Sequence, residues 1–195
     1  MKKFIAVIAV IAAACCLGAC KGKKEEQTFD QYQALNEMLG ASYSQISLTV
    51  TDTFDENTSL KSEYTIKFSD SETTVQYSVE RFAGLSLDDT SSDVKTTLTG
   101  TAVIKNGKVT GGEEVGITAD MAKTGLTFKE EYFENITING VSLKADVKNA
   151  SAFLGSDIVC SDMKVEAKYL ILFNTIEISY TKNGNKIEYK YVFTP

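Results

Sequence analysis

Few side chains in this 195-residue sequence combine the type and the spacing that chemistry needs. Histidine is absent, which removes the commonest general base near neutral pH and the commonest metal ligand. The densest acidic group is Asp88-Asp89-Thr90-Ser91-Ser92-Asp93, whose carboxylates and hydroxyls are the ligand types that Ca²⁺ takes. It lacks both the spacing and the glycine of an EF-hand, and reads as a solvated loop, where Asp and Ser routinely collect. Glu113-Glu114, beside Gly111-Gly112, reads the same way. Ser-x-x-Lys occurs at Ser92–Lys95, Ser161–Lys164 and Ser179–Lys182, yet the serine–lysine hydrolases set that motif at a helix start. Here all three fall in or beside strand patterns. Cys160, behind Ile158-Val159, reads as a small buried hydrophobe, since no imidazole exists to activate its thiol. Arg81 is the single arginine and reads as a strand-end charge.

Tyr189, Tyr191 and Phe193 fall on one face of the last strand pattern. Such a stripe can stack on carbohydrate, line an apolar cavity or fill a core. No glycine-rich phosphate loop, nucleophile elbow or cysteine-pair metal motif is present, so no catalytic residue, metal site or cofactor is predicted. The one catalytic chemistry still open is a carboxylate pair, which glycosidases use without histidine, and 26 acidic residues supply the groups without converging them. With 20 basic residues the net charge is −6, the wrong sign for a nucleic-acid footprint.

The N-terminus carries the most specific signal. Met1-Lys2-Lys3 is a positive segment, followed by the uncharged run Phe4 to Leu17, too short to span a bilayer but suited to a signal-peptide core. Leu17-Gly18-Ala19-Cys20 resembles the lipobox of bacterial prolipoproteins, and the match covers residues 1–20 only. The resemblance implies diacylglycerol on the Cys20 sulfur, recognition of Leu17, Gly18 and Ala19 by the lipoprotein signal peptidase, and removal of residues 1–19. Two or three acyl chains make a stable anchor where one does not. Loss of Lys2 and Lys3 with the signal takes the net charge from −6 to −8 and the length from 195 to 176 residues. Cys15 and Cys16 leave as well, so Cys160 has no partner for an intramolecular disulfide. The sequons at Asn57, Asn135 and Asn149 matter only in a eukaryotic secretory pathway, which a lipobox argues against. The implied location is the cell membrane or outer membrane, facing the extracytoplasmic side, with membrane lipid as partner through acylated Cys20.

The remaining chain must supply whatever function the anchor positions. Residues 20–28 form a polar tether. Thr28 and Gln31 fit a capping box, and Phe29, Tyr32, Leu35, Met38 and Leu39 recur at helical spacing before Gly40, predicting a helix over 29–40. From Tyr43 the period becomes two, in runs such as Ile46-Leu48-Val50, Tyr64-Ile66-Phe68, Val75-Tyr77-Val79 and Ile176-Ile178-Tyr180. Half-apolar runs rich in Thr and Tyr describe antiparallel strands with one face in a core. Asn106-Gly107, Asn139-Gly140 and Asn183-Gly184 mark hairpins between such runs. The predicted fold is α+β and mostly β: one domain over 29–195, its N-terminal helix packed on a curled antiparallel sheet of about eight or nine strands. In architecture alone this is similar to bacterial lipoprotein carriers of the half-barrel type.

The expected function is non-catalytic binding by a membrane-anchored lipoprotein, with a small apolar ligand or a protein as the bound partner. A carboxylate-dependent hydrolase and a structural or surface-antigen lipoprotein are the alternatives.

Overall fold

The computed structural model describes residues 30–82 and 95–195. Its first element is helix α1, Gln31–Leu39. The helix opens on Asp30 rather than on the expected Thr28, which lies outside the described residues. The Asp30 carboxylate accepts from the Tyr32 and Gln33 amides at 2.9 and 3.1 Å, and its charge suits the positive end of the helix dipole. A helix of nine residues is marginal in isolation. Burial of Tyr32, Leu35 and Met38 on one face, worth about 2 kcal/mol each, holds it on the sheet.

Ten strands follow: β1 Gln45–Thr53, β2 Ser59–Phe68, β3 Thr73–Phe82, β4 Lys95–Lys105, β5 Lys108–Thr110, β6 Phe133–Ile138, β7 Ser142–Val147, β8 Ser161–Tyr169, β9 Phe173–Lys182 and β10 Asn185–Thr194. A five-residue helix α2, Ala150–Leu154, separates β7 from β8. The count exceeds the expected eight or nine because β5 has only three residues, too few to show an alternation. It exists as the second arm of the Asn106-Gly107 turn, where both residues take positive φ, as do Asn183 and Gly184. At Asn139-Gly140 only the glycine does so, and the turn is pinned instead by the Asn139 Oδ1, which accepts from the Ser142 amide at 3.1 Å.

All ladders are antiparallel, and the sheet order is β5-β4-β3-β2-β1-β10-β9-β8-β7-β6. Each strand bonds its neighbour in sequence except across β5 and β6, and β1 bonds β10. The connectivity is thus up-and-down, joined through the β1–β10 pair into one open sheet whose two edges are β5 and β6. Residues 111–132 run from one edge strand to the other as a strap containing three short 3₁₀ turns.

One face of the sheet is apolar, as the alternation requires. Its buried residues include Ile46, Ile66, Val75, Ala102, Leu143, Val165, Ile176, Ile178 and Phe193. The strap contributes Ile117, Leu126 and Phe128, and α2 contributes Phe153, to the same core. Phe128 packs within 6 Å of Phe133, Phe153 and Phe173, joining the strap to α2 and to strands β6 and β9. At Gly155 the chain leaves α2 with φ +65°, and a Cβ there would stand 2.7 Å from the Gly125 carbonyl, so only glycine lets strap and helix end meet.

Two side chains fasten the cover, one joining α1 to the strap and one joining α1 to the sheet. Asn36 of α1 donates to the Phe128 carbonyl at 2.7 Å and accepts from the Phe128 amide at 2.8 Å. The Tyr43 hydroxyl donates to the Met38 carbonyl at 2.8 Å and accepts from the Phe173 amide at 3.2 Å. The opposite face is polar and carries ion pairs such as Lys144–Glu166 and Lys190–Glu177, both 2.8 Å. Such exposed pairs contribute little to stability.

Candidate functional site

The alternation that makes the sheet also decides where a site can lie. On the covered face, inward side chains of β1, β2 and β10 stand in register: Leu48 lies opposite both Tyr64 and Tyr191, and Val50 opposite Tyr189. The strap crosses this face without filling the space beneath it. It leaves a hollow of about 890 Å³ on the side of the α1 C-terminus and one of about 520 Å³ on the side of α2. Ile46 and the strap residues Lys123 to Gly125 line both. Ile66, Leu48, Met121, Leu154 and Tyr191 give the second hollow an apolar wall. These volumes fall in the range of small-molecule sites.

The aromatic stripe on β10 runs along this face. Phe193 and Tyr191 are 5 % and 8 % exposed, while Tyr189, further along, is only half-buried. Ring centroids are 6.2 Å apart between Phe193 and Tyr191, 6.5 Å between Tyr191 and Tyr189, and 6.0 Å between Tyr189 and Tyr180. One end of the ladder is therefore core, its middle lines a hollow, and its far end opens. Burial pushes the Tyr191 hydroxyl well above the usual tyrosine range and raises that of Tyr64, and both stay protonated donors at any physiological pH.

Charged groups sit at the margins. Lys123 lines both hollows and makes no ion pair among the described residues. Asp52 lies beside Ile187 and Leu60 at the open end of the inner face, and its Oδ1 is buried without a hydrogen-bond partner among the described residues. Burial raises its carboxyl above the ordinary range, against an opposing Asn185 hydrogen bond and the Lys182 charge. At the β3 side the Tyr77 hydroxyl donates to the Glu114 carboxylate, which that bond and the Arg81 charge hold below the usual range. Glu114 therefore serves as a strap anchor.

A further hollow of about 560 Å³ lies on the polar face and is lined by Asp146, Glu166, Glu177 and Glu188. Here the carboxylate-hydrolase alternative finds acidic groups, two of which are held in ion pairs. Glu166 is bridged by Lys144 at 2.8 Å and Lys168 at 3.3 Å, and these ammonium groups hold it below its ordinary range. Glu177 is paired with Lys190. A general acid needs the opposite shift.

The other residues picked from the sequence are dispersed. Cys20 with Leu17, Gly18 and Ala19, and the acidic group 88–93, lie outside the described residues. Ser161 and Lys164 are on β8 and Ser179 and Lys182 on β9, so neither pair opens a helix. Cys160 is half-buried against the core, and burial raises its thiol, leaving little thiolate. Asn57 sits in the β1–β2 turn, Asn135 in a bulge of β6, and Asn149 caps α2. Sequence reasoning did not single out Asn36, Lys123 or Asp52. Only Asp52 left a trace, as the one acid on the apolar parity of β1. No described helix is long and apolar enough to cross a membrane. No family model matches the chain, and no curated protein matches it.

Proposed function

We propose that the protein is a membrane-anchored extracytoplasmic lipoprotein, acylated at Cys20, whose domain binds a small apolar ligand without catalysis. The observation that carries the binding role is the 520 Å³ hollow, with Ile46, Leu48, Ile66 and Tyr191 below and Met121 of the strap above. The apolar wall faces Thr118, Asp120, Lys123, Thr124 and Ser156, a mix of apolar surface and polar groups that suits an amphiphilic ligand. Curling of the ten-stranded sheet, expected of a sheet so wide, deepens that space. Lys123 lines both hollows and supplies a cation for a polar head, beside the Asp70 carboxylate in the first hollow and the Asp120 carboxylate in the second. The anchor reading rests on the order of charge, apolar run, small residues and cysteine at the N-terminus.

Titration of the purified protein with 11-(dansylamino)undecanoic acid tests the binding role. Saturable enhancement of dansyl emission is expected, and Leu48→Trp, which fills the hollow, is expected to weaken it about tenfold or more, as loss of a buried apolar contact implies. Absence of saturation, or unchanged binding by Leu48→Trp, defeats the proposal. Cys20→Ala is expected to abolish fatty-acid labelling in the host, and persistent labelling defeats the anchor.

A further inference from the structure

Among the described residues, the hairpin turns of this sheet follow a rule with one departure. Asp55-Glu56-Asn57, Asp70-Ser71, Asn106-Gly107, Asn139-Gly140 and Asn183-Gly184 all carry turn-forming polar or glycine residues. The β8–β9 turn instead carries Leu170-Ile171-Leu172. Leu172 folds back against the core, but Leu170 is 64 % exposed and Ile171 43 % exposed. The neighbouring β6–β7 turn adds Val141, 51 % exposed, and the two turns are tied by the Tyr169 amide donating to the Val141 carbonyl at 2.9 Å. Three large apolar side chains thus project together at one end of the sheet. Their base is rigid: Phe173 is 1 % exposed and meets Tyr169 edge-on at 5.8 Å.

We propose that these paired turns, residues 139–142 and 168–174, are a membrane-contacting tip whose Leu170, Ile171 and Val141 enter the interface of a lipid bilayer. The proposal rests on the acylated Cys20 of the preceding reading and extends it from a tether to an oriented contact. Two features favour lipid as the occupant. Within an acidic chain, the two turns hold no carboxylate, and their one charged residue is Lys168, an exposed cation that reaches back to Glu166 at 3.3 Å and carries the sign that an anionic bilayer attracts. The ten residues from Cys20 to the start of the described chain reach at most about 35 Å, less than the diameter of about 40 Å expected for a domain of this size. A body on that leash always has a bilayer within reach, and a convex apolar tip with a basic neighbour fits an interface better than a groove.

The absence of tryptophan from the sequence gives a clean probe. The acylated full chain carrying Leu170→Trp is reconstituted on vesicles of equal parts phosphatidylcholine and phosphatidylglycerol, with doxyl-labelled lipid as quencher. Val159→Trp is the control, since Val159 is 90 % exposed and precedes β8 at the opposite end of that strand. Blue-shifted emission and quenching severalfold stronger at position 170 than at 159 are expected. Ile171→Trp repeats the measurement should Leu170→Trp fold poorly. Equal quenching at 170 and 159 overturns the proposal. So does a position-170 probe that stays wet on vesicles and shifts only as protein concentration rises, which marks a protein contact. Fatty-acid labelling of Cys20 is read on the same samples. Where labelling is absent, the same vesicles added to the free chain decide the tip separately from the anchor.

Discussion

Asn36→Ala perturbs the fold at the point where its cover is fastened. The Asn36 amide pairs with both backbone groups of Phe128, donating at 2.7 Å and accepting at 2.8 Å, across 92 residues of sequence. Phe128 is fully buried, so the alanine variant leaves a peptide N–H and C=O with little access to water. Each unsatisfied group costs about 1–3 kcal/mol, and with partial solvation through the adjoining hollow the sum is about 2–4 kcal/mol. A domain of this size melts roughly 2–4 °C lower for each kcal/mol, giving a fall of about 5–15 °C. Asn36→Asp separates geometry from packing. It keeps the acceptor for the Phe128 amide but turns a carboxylate oxygen toward the Phe128 carbonyl, so its carboxyl is raised in the fold. Its destabilisation should be present above that raised value and should fade on acidification toward about pH 4, the unfolded carboxyl range. Urea denaturation followed by far-ultraviolet circular dichroism, at several pH values, reads both variants. A midpoint for Asn36→Ala within about 0.5 kcal/mol of the parent would refute the claim that this pair fastens α1 to the strap.

Two further perturbations test the reading of single residues. Asp52 is raised by burial, so its folded value lies above the unfolded one, and its cost is absent below the unfolded value and complete above the folded one. Asp52→Asn is therefore expected to raise the urea midpoint at pH 7 and to flatten the parent's rise in stability as pH falls toward 4; parallel pH profiles would show that the buried Oδ1 costs nothing. Gly40 ends α1 at φ −78° and ψ −2°, a conformation any residue adopts, and a Cβ there would meet only backbone oxygens at 3.6 and 3.7 Å. Gly40→Ala should stabilise by about 0.4–1 kcal/mol in thermal melts, through the unfolded chain; a loss of stability would contradict the geometry.

What could be read from the chain before folding was whatever near neighbours decide. Period-two runs with Asn-Gly turns between them specify antiparallel hairpins, because alternation and turn twist are properties of a few adjacent residues. Spacing of Tyr32, Leu35 and Met38 predicts α1 for the same reason, while the cap is Asp30, whose carboxylate reaches the Tyr32 and Gln33 amides. The lipobox resemblance at Leu17 to Cys20 is likewise local, and it alone points to an anchor.

The rest depended on pairing between distant segments. That β1 bonds β10, leaving β5 and β6 as the two edges of the sheet, follows from no local pattern. The irregular stretch 111–132 becomes a strap because it must join those two edge strands, and its crossing creates the hollows beside Ile46 and Lys123. By composition, Tyr169 to Phe173 could continue a strand; the register of β8 on β9 makes it a turn and puts Leu170 and Ile171 into solvent. Burial and exposure are sums over the whole chain's contacts, so the sequence by itself determined the helix α1, the longer alternating strands and the lipobox resemblance, and tertiary pairing alone decided which apolar side chains line a hollow and which face outward.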